Sequence, residues 1–307
     1  VRVGFLGPAG THSDEALRAS APALARTAGA AFGVDAGAAH PAPAGALEEV
    51  PFPTVYETVM AVQAREVDRA VVPIENSLEG GVAATLDALA GEADRVRIAG
   101  ELVHPVHHCL VAARELDLTE VSRLVSHPQA SAQCARFLAT RLPGVERVAA
   151  PSTADAVRQV SETSEPWAAL GSRLSAELYG CRLLAADVED RPDNLTRFVW
   201  LAAAGEAAAP GRPAKTSVVF WGAGDQAPGW LVGVLQELAE RGVNLTRIES
   251  RPRRERLGHY MFFADLEGAR DDPPVRDALA ALGARVETLK VLGSYTAAAT
   301  LADDRGR

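Results

Sequence analysis

Apolar residues at 1–6 form a short strand pattern, and Gly7-Pro8-Ala9-Gly10-Thr11 interrupts it before a helix predicted to begin near Ser13. Thr54 and Glu57 have capping-box spacing, opening a helix predicted through Val62. The run Ala70-Val71-Val72-Pro73-Ile74 reads as a buried strand ending at Glu75-Asn76-Ser77. A helix is predicted over 82–89 and one extended segment over 102–111. Three strand-then-helix units follow: 124–125 into 128–142, 148–149 into 154–160, and 168–170 into 172–179. A strand at 197–201 closes the region, and residues 27–45, poor in large apolar side chains, read as a loop insertion. The alternation predicts an α/β domain with mainly parallel sheets. Its polar motifs fall where strands end and helices begin, where small anions bind open α/β sheets.

Beyond this point the periodicity changes. Residues 202–214 have the composition of a linker. A strand over 216–221 then leads into a helix over 229–241, with Leu231, Val234, Leu235 and Leu238 on one face and Gly242 as its stop. Strands at 243–250 and 260–266, a helix at 274–282 and a strand at 286–292 complete a βαββαβ, ferredoxin-like order. The expected division is 1–205, a linker at 206–214, and 215–307.

At 307 residues, 48% hydrophobic and 23% charged, the chain can bury a core in each of two soluble domains. Its formal net charge of -9 repels phosphate backbones, so no nucleic acid is expected as a partner. The basic run at 251–256 has no interleaved aromatics and reads as a solvated turn. Three cysteines without metal-type spacing suit a reducing compartment. With neither an export signal nor an 18-residue apolar run read in the sequence, a cytoplasmic protein without membrane association is expected.

Four motifs lie in order: Gly7-Pro8-Ala9-Gly10-Thr11, Pro73-Ile74-Glu75-Asn76-Ser77, Ser126-His127-Pro128-Gln129-Ala130 and Asn194-Leu195-Thr196-Arg197-Phe198. With them the chain resembles the prephenate dehydratase family over essentially its whole length. Its C-terminal part is similar to the ACT regulatory domain of that family through the segment from Asn244 to Pro252. Each motif alone is short enough to arise by chance; all of them, in order and at strand ends, form a specific signal.

The resemblance implies a two-lobed catalytic domain like a type II periplasmic binding protein, with prephenate in the cleft. It implies catalytic roles for Thr196, Glu75, Asn76, Ser126 and Gln133. Substrate contacts are implied for Thr11, Ser77, His127, Thr153, Arg197 and Phe198, with Arg197 holding a carboxylate. For the effector, L-phenylalanine, it implies Gly229, Trp230, Leu231 and Val232, then Asn244, Leu245, Glu249, Ser250, Arg251 and Pro252. It also implies a homodimer or homotetramer with no metal and no organic cofactor. Alternatives of the same resemblance are arogenate dehydration and a non-aromatising prephenate decarboxylase. Outside enzymes, a small-anion or amino-acid sensor is the competing class, and the catalytic motifs weigh against it.

Simpler readings accompany these. Thr11, Ser126 and Ser152-Thr153 stand where helix N-caps are expected, and capping alone explains a hydroxyl there. His104, His107 and His108 lie on an extended segment, where neighbours face opposite ways, and no acidic partner is near in sequence, so no metal site is expected. Two positions depart from the family. His12 stands in place of an aromatic residue and adds a titratable group near the cleft. Trp230 stands in place of an alanine, where it can occlude the effector, join an interface or fill the core.

Overall fold

The computed structural model describes residues 1–20, 47–206, 210–222, 224–225, 227–255 and 257–298, so the loop expected at 27–45 lies outside the described residues. The chain runs β1 (Arg2–Leu6), α1 (12–20), β2 (Glu48–Phe52), α2 (Val55–Ala64), β3 (Arg69–Asn76), β4 (Gly80–Gly81) and α3 (Ala83–Ala90). It continues through β5 (Val96–Pro105), β6 (Cys109–Ala112), β7 (Arg123–Ser126), α4 (Pro128–Gln133), α5 (Ala135–Arg141), β8 (Glu146–Ala149) and α6 (Thr153–Ser161). Next come β9 (Trp167–Gly171), α7 (Arg173–Leu178), β10 (Arg182–Ala185) and β11 (Leu195–Ala203). The last elements are β12 (Ala214–Trp221), α8 (Trp230–Ala239), β13 (Leu245–Pro252), β14 (Tyr260–Glu267), α9 (Pro273–Arg285) and β15 (Thr288–Thr296).

Two compact units are built from these elements, each from three stretches of chain. The first comprises Val1–Thr58, Val71–Gly80 and Val103–Phe198. In it β11, β3, β1 and β2 are successive neighbours, and β1 pairs with β2 in parallel, Arg2 opposite Glu48 and Leu6 opposite Phe52. A second sheet has the order β10-β6-β9-β7-β8, with β7 parallel to β8 and β9 and β6 antiparallel to both its neighbours. Strand alternation feeds two cores through this sheet. Leu110, Leu124 and Leu170 pack with Leu138 and Leu142 on one face, while Val111, Val125 and Ala169 pack with Val157 and Val160 of α6 on the other. Burial on both faces is why these strands read as continuous apolar runs.

The second unit comprises Val59–Ala70, Gly81–Leu102 and Val199–Arg307. Its four antiparallel strands run β13-β14-β12-β15, giving the expected βαββαβ order, with α8 and α9 packed on Val218, Phe220, Ala264 and Leu266. The same unit includes residues from well before the expected linker. Gly293 of β15 pairs with Ile98 of β5, and a Cβ at Gly293 would lie 2.2 Å from the Ile98 carbonyl oxygen, so only glycine permits that approach. Ion pairs join Lys215 to Glu101 at 2.7 Å and Lys290 to Asp94 at 2.9 Å. Asp87 of α3 takes Arg251 in a two-pronged grip at 2.7 and 3.0 Å and also Arg254 at 2.6 Å.

Several elements differ from expectation. The extended segment at 102–111 is two strands of different sheets, β5 and β6, with the chain turning at 106–108. The helix at 128–142 is two helices broken at the buried Cys134, whose φ and ψ of -114° and 22° leave the helical region. Ala202 and Ala203 complete β11 instead of opening a linker. β2, with two glutamates and a proline, and β10, only four residues long, carry no strand pattern long enough to read and form by pairing at sheet edges.

Candidate active site

The end of β3 and the start of β11 are stitched together. The Ser77 amide donates to the Leu195 carbonyl at 2.8 Å, and the Leu195 amide donates back to Ser77 Oγ at 3.0 Å. Successive side chains of a strand face opposite ways, so Thr196 and Phe198 share one face of β11 and Arg197 takes the other. The neighbouring strand β3 is sorted alike. Asn76 Nδ2 donates to Thr196 Oγ1 at 2.9 Å, whereas Glu75 lies 3.5 Å from Arg197. The motif that reads as one site along the sequence is thus split in space. Asn76 and Thr196 come together, and Arg197, mostly buried, is held with Glu75 on the opposite face instead of standing beside Thr196.

A directed hydrogen-bond chain starts from Asn76. The Leu78 and Glu79 amides donate to its Oδ1 at 2.9 and 3.1 Å, which assigns the other end of the carboxamide as the donor. Nδ2 donates to Asn194 Oδ1 at 2.8 Å, so Asn194 Nδ2 donates onward to Gln133 Oε1 at 3.3 Å. Gln133 Oε1 also accepts from His108 Nε2 at 2.9 Å, which places that ring's proton on Nε2. The His108 ring meets the His12 ring edge-on, with centroids 5.5 Å apart. His12 Nδ1 lies 2.8 Å from Glu15, Glu15 lies 3.5 Å from His104, and His104 packs edge-on against Phe198 at 6.4 Å. Phe198 is two residues along β11 from Thr196, so the contacts close into a ring.

Burial pushes the Glu15 carboxyl up, but hydrogen bonds from His104 and His12 outweigh it and hold the pKa at about 2. Burial, and after it the charge of His12, pushes the His108 pKa down, against the hydrogen bond to Gln133 and the carboxylates of Glu189 and Glu15.

Other expected site residues have structural work. Thr11 Oγ1 donates to the Leu6 carbonyl at 2.9 Å and caps α1. Ser126 is buried and donates to the His127 carbonyl at 3.0 Å, while His127 caps α4 by accepting from the Gln129 amide at 3.3 Å. Thr153 opens α6 behind the capping Ser152. The turn at 7–11 is seated by Ser172, whose Oγ donates to the Gly10 carbonyl at 3.0 Å, and by Tyr179, whose hydroxyl donates to Ala9 at 3.1 Å. Gly10 has a φ of +87°, which favours glycine.

Glu15, His104, His108 and Asn194 join the ring without having been assigned a role from the sequence. Glu15, one helical turn from His12, and Asn194, at the head of the motif that ends at Phe198, had a local signal; the two histidines had none. The sequence reading also found no acidic partner for the histidines, and the fold corrects that: Asp187 and Glu189, some eighty residues away, come to His107 in a group whose spacing could hold a metal ion. His107 lies 2.8 Å from Glu189, and Asp187 lies 3.5 Å from Arg173, so protein partners engage these groups.

In the C-terminal region Trp230 packs against Phe220 and Phe262, with centroids 6.3 and 5.9 Å apart, which favours the core-filling role. Gly229 before it is left-handed at φ 81°. Leu231 is half-buried and Val232 exposed. On β13 the alternation puts Leu245, Glu249 and Arg251 on the more covered face and Ser250 and Pro252 on the exposed one, with Asn244 just before the strand. The expected effector residues on β13 therefore occupy both faces of an edge strand, and the others lie at the start of α8 and just before β13.

The family model described as prephenate dehydratase matches residues 3–206, and that of the ACT domain matches 216–284. A prephenate dehydratase of Mycolicibacterium vanbaalenii is 39% identical over 95% of this chain and 90% of its own. An Arabidopsis thaliana arogenate dehydratase/prephenate dehydratase is 39% identical over 83% of this chain and 68% of its own. Among solved structures, the prephenate dehydratase of Arthrobacter aurescens in complex with L-Phe is 37% identical, with a TM-score of 0.78 over 96% of this chain and 90% of that one. A quorum-quenching acylase, GqqA, is 30% identical, with a TM-score of 0.79 over 97% of this chain and 98% of that one. A catalytic region with these motifs, followed by a βαββαβ region, makes this chain a lyase of the prephenate dehydratase family carrying an ACT domain.

Proposed function

We infer that the protein removes water and carbon dioxide from prephenate to give phenylpyruvate, and that L-phenylalanine acting on the ACT domain regulates it. The observation carrying this reading is the Asn76–Thr196 pair: Asn76 donates to Thr196 Oγ1, so the hydroxyl's own proton is left to donate elsewhere. A donor there meets the ring hydroxyl of prephenate as it departs, while loss of the carboxylate gives electrons to the ring. Aromatisation drives both cleavages, so the protein's task is to orient the ring and stabilise charge. Threonine is a weak acid, so Thr196 acts by hydrogen bonding and the proton itself needs another source.

The same reading includes the catalytic and ACT division near residues 206–214, a homo-oligomeric assembly and a cytoplasmic location. Among the described residues no helix is long and apolar enough to cross a membrane. Purified protein incubated with prephenate should yield an aromatic product; a non-aromatic product, or preference for arogenate, would redirect the assignment within the family. A second reading, acyl hydrolysis, is favoured by the likeness to the acylase alone. Release of free acid from an acylated substrate, with no turnover of prephenate, would select it.

A further inference from the structure

We propose that His12 and His108 together receive the hydroxyl that the substrate loses: His12, oriented by Glu15, protonates its oxygen, and His108 Nδ1 accepts its hydrogen in the bound state. This rests on the dehydratase reading above and supplies the proton that Thr196 is too weak an acid to give. Three observations carry it. His108 is 2% exposed, and the directed chain from the Leu78 and Glu79 amides fixes its proton on Nε2, so Nδ1 is a buried lone pair with no protein partner. His12 directs Nδ1 at the Glu15 carboxylate, and its Nε2 is likewise buried without a partner. The two rings lie edge to face, 5.5 Å apart, within the same ring of contacts as Thr196.

One acceptor and one potential donor, adjacent and unsatisfied, match a hydroxyl, which both gives and takes a hydrogen bond. In the step, the C–O bond breaks with its electron pair on oxygen, and His12 Nε2 gives that oxygen a proton, forming water. The bond to the departing carboxylate breaks at the same time, its pair enters the ring, and carbon dioxide leaves. Neutral His12 then recovers a proton from solvent. Glu15 on its own helix and the ring of His108 face His12; His104 on β5 reaches the same Glu15 carboxylate, and Glu189 accepts from the His108 amide. Glu15 is a positioning residue.

Two measurements test the pair. Nitrogen-15 histidine spectra of the native protein without substrate should show His108 protonated on Nε2 with a bare Nδ1. A proton on Nδ1 would overturn the assignment whatever the substrate proves to be. With prephenate, His12→Gln and His12→Ala should lower kcat about 10²-fold or more and abolish the fall in activity at rising pH, while KM changes little. Added imidazole should restore part of the His12→Ala rate, and Glu15→Gln should keep the pH limb but displace it. Folded His12 variants with native kcat and a native pH profile would refute the proposal while leaving phenylpyruvate formation intact.

Discussion

Replacing Thr196 by valine keeps the branched shape on β11 and removes only the hydroxyl, so the consequences for stability and for catalysis can be separated. In the folded protein the lost contact is the 2.9 Å hydrogen bond from Asn76. Asn76 Nδ2 retains Asn194 Oδ1 at 2.8 Å and the Leu195 carbonyl at 3.3 Å, so neither of its hydrogens is orphaned. The stability cost is therefore that of one neutral hydrogen bond, about 1 kcal/mol. Turnover should suffer more. A hydrogen bond made to the leaving oxygen as charge develops is worth roughly 10²–10⁴ in rate, or about 3–5 kcal/mol of barrier. Because the ring of contacts is otherwise preserved, KM should move little and kcat should carry the loss. Phenylpyruvate formation followed by absorbance, alongside urea unfolding, reads both quantities. Thr196→Ser retains the hydroxyl and should keep most of the activity. A valine variant within a few-fold of native kcat would remove the hydroxyl from the mechanism.

Further outcomes follow from other parts of the structure. Glu15 has its pKa lowered from 4.5 to about 2, so its stabilising contribution is present above 4.5 and is lost as pH falls toward 2; Glu15→Gln should flatten acid unfolding in that window. Burial pushes the Cys134 thiol up to about 12 and raises Cys109 as well, so a thiol reagent should leave both unlabelled in native protein and titrate them only on unfolding. Asp87→Ala removes the carboxylate that holds Arg251 and Arg254, one largely buried and the other exposed, and should cost ~1–3 kcal/mol in urea unfolding with kcat retained. Ending the chain at Gly211 removes the partners of Glu101, Asp94 and Ile98, so the fragment should melt below the full-length protein.

Much of the fold was legible because buried strands announce themselves: residues 70–74, 124–125 and 168–170 are apolar on both faces, and the βαββαβ region shows its period cleanly. What escaped was decided by pairing across distance. β2 carries two glutamates and a proline and exists because β1 offers it a parallel neighbour. The break at Cys134 belongs to packing, since nothing in Ala130 to Leu138 forbids one continuous helix. At the site, the motifs name Asn76, Thr196 and Arg197 together, but they do not show that strand alternation turns Arg197 to the face of Glu75 while Asn76 meets Thr196. The histidine ring was invisible for another reason. His12, His104, His108 and Gln133 are scattered over more than a hundred residues, and the sequence carries no sign of which nitrogen each ring protonates.

The hold of Asp87 on Arg251 has a thermodynamic corollary. Arg251 belongs to the segment expected to meet the effector, and Asp87 lies on α3 of the same unit. Any ligand whose binding loosens or tightens that grip exchanges free energy with it, and such exchange is symmetrical. If occupancy of the ACT domain weakens prephenate binding by some factor, prephenate must weaken the effector by the same factor, typically about 5–150-fold for couplings of about 1–3 kcal/mol. Titrating the effector with and without a substrate analogue would read this coupling as a ratio of two dissociation constants. Repeating the titration in Asp87→Ala would show how much of the ratio passes through one carboxylate.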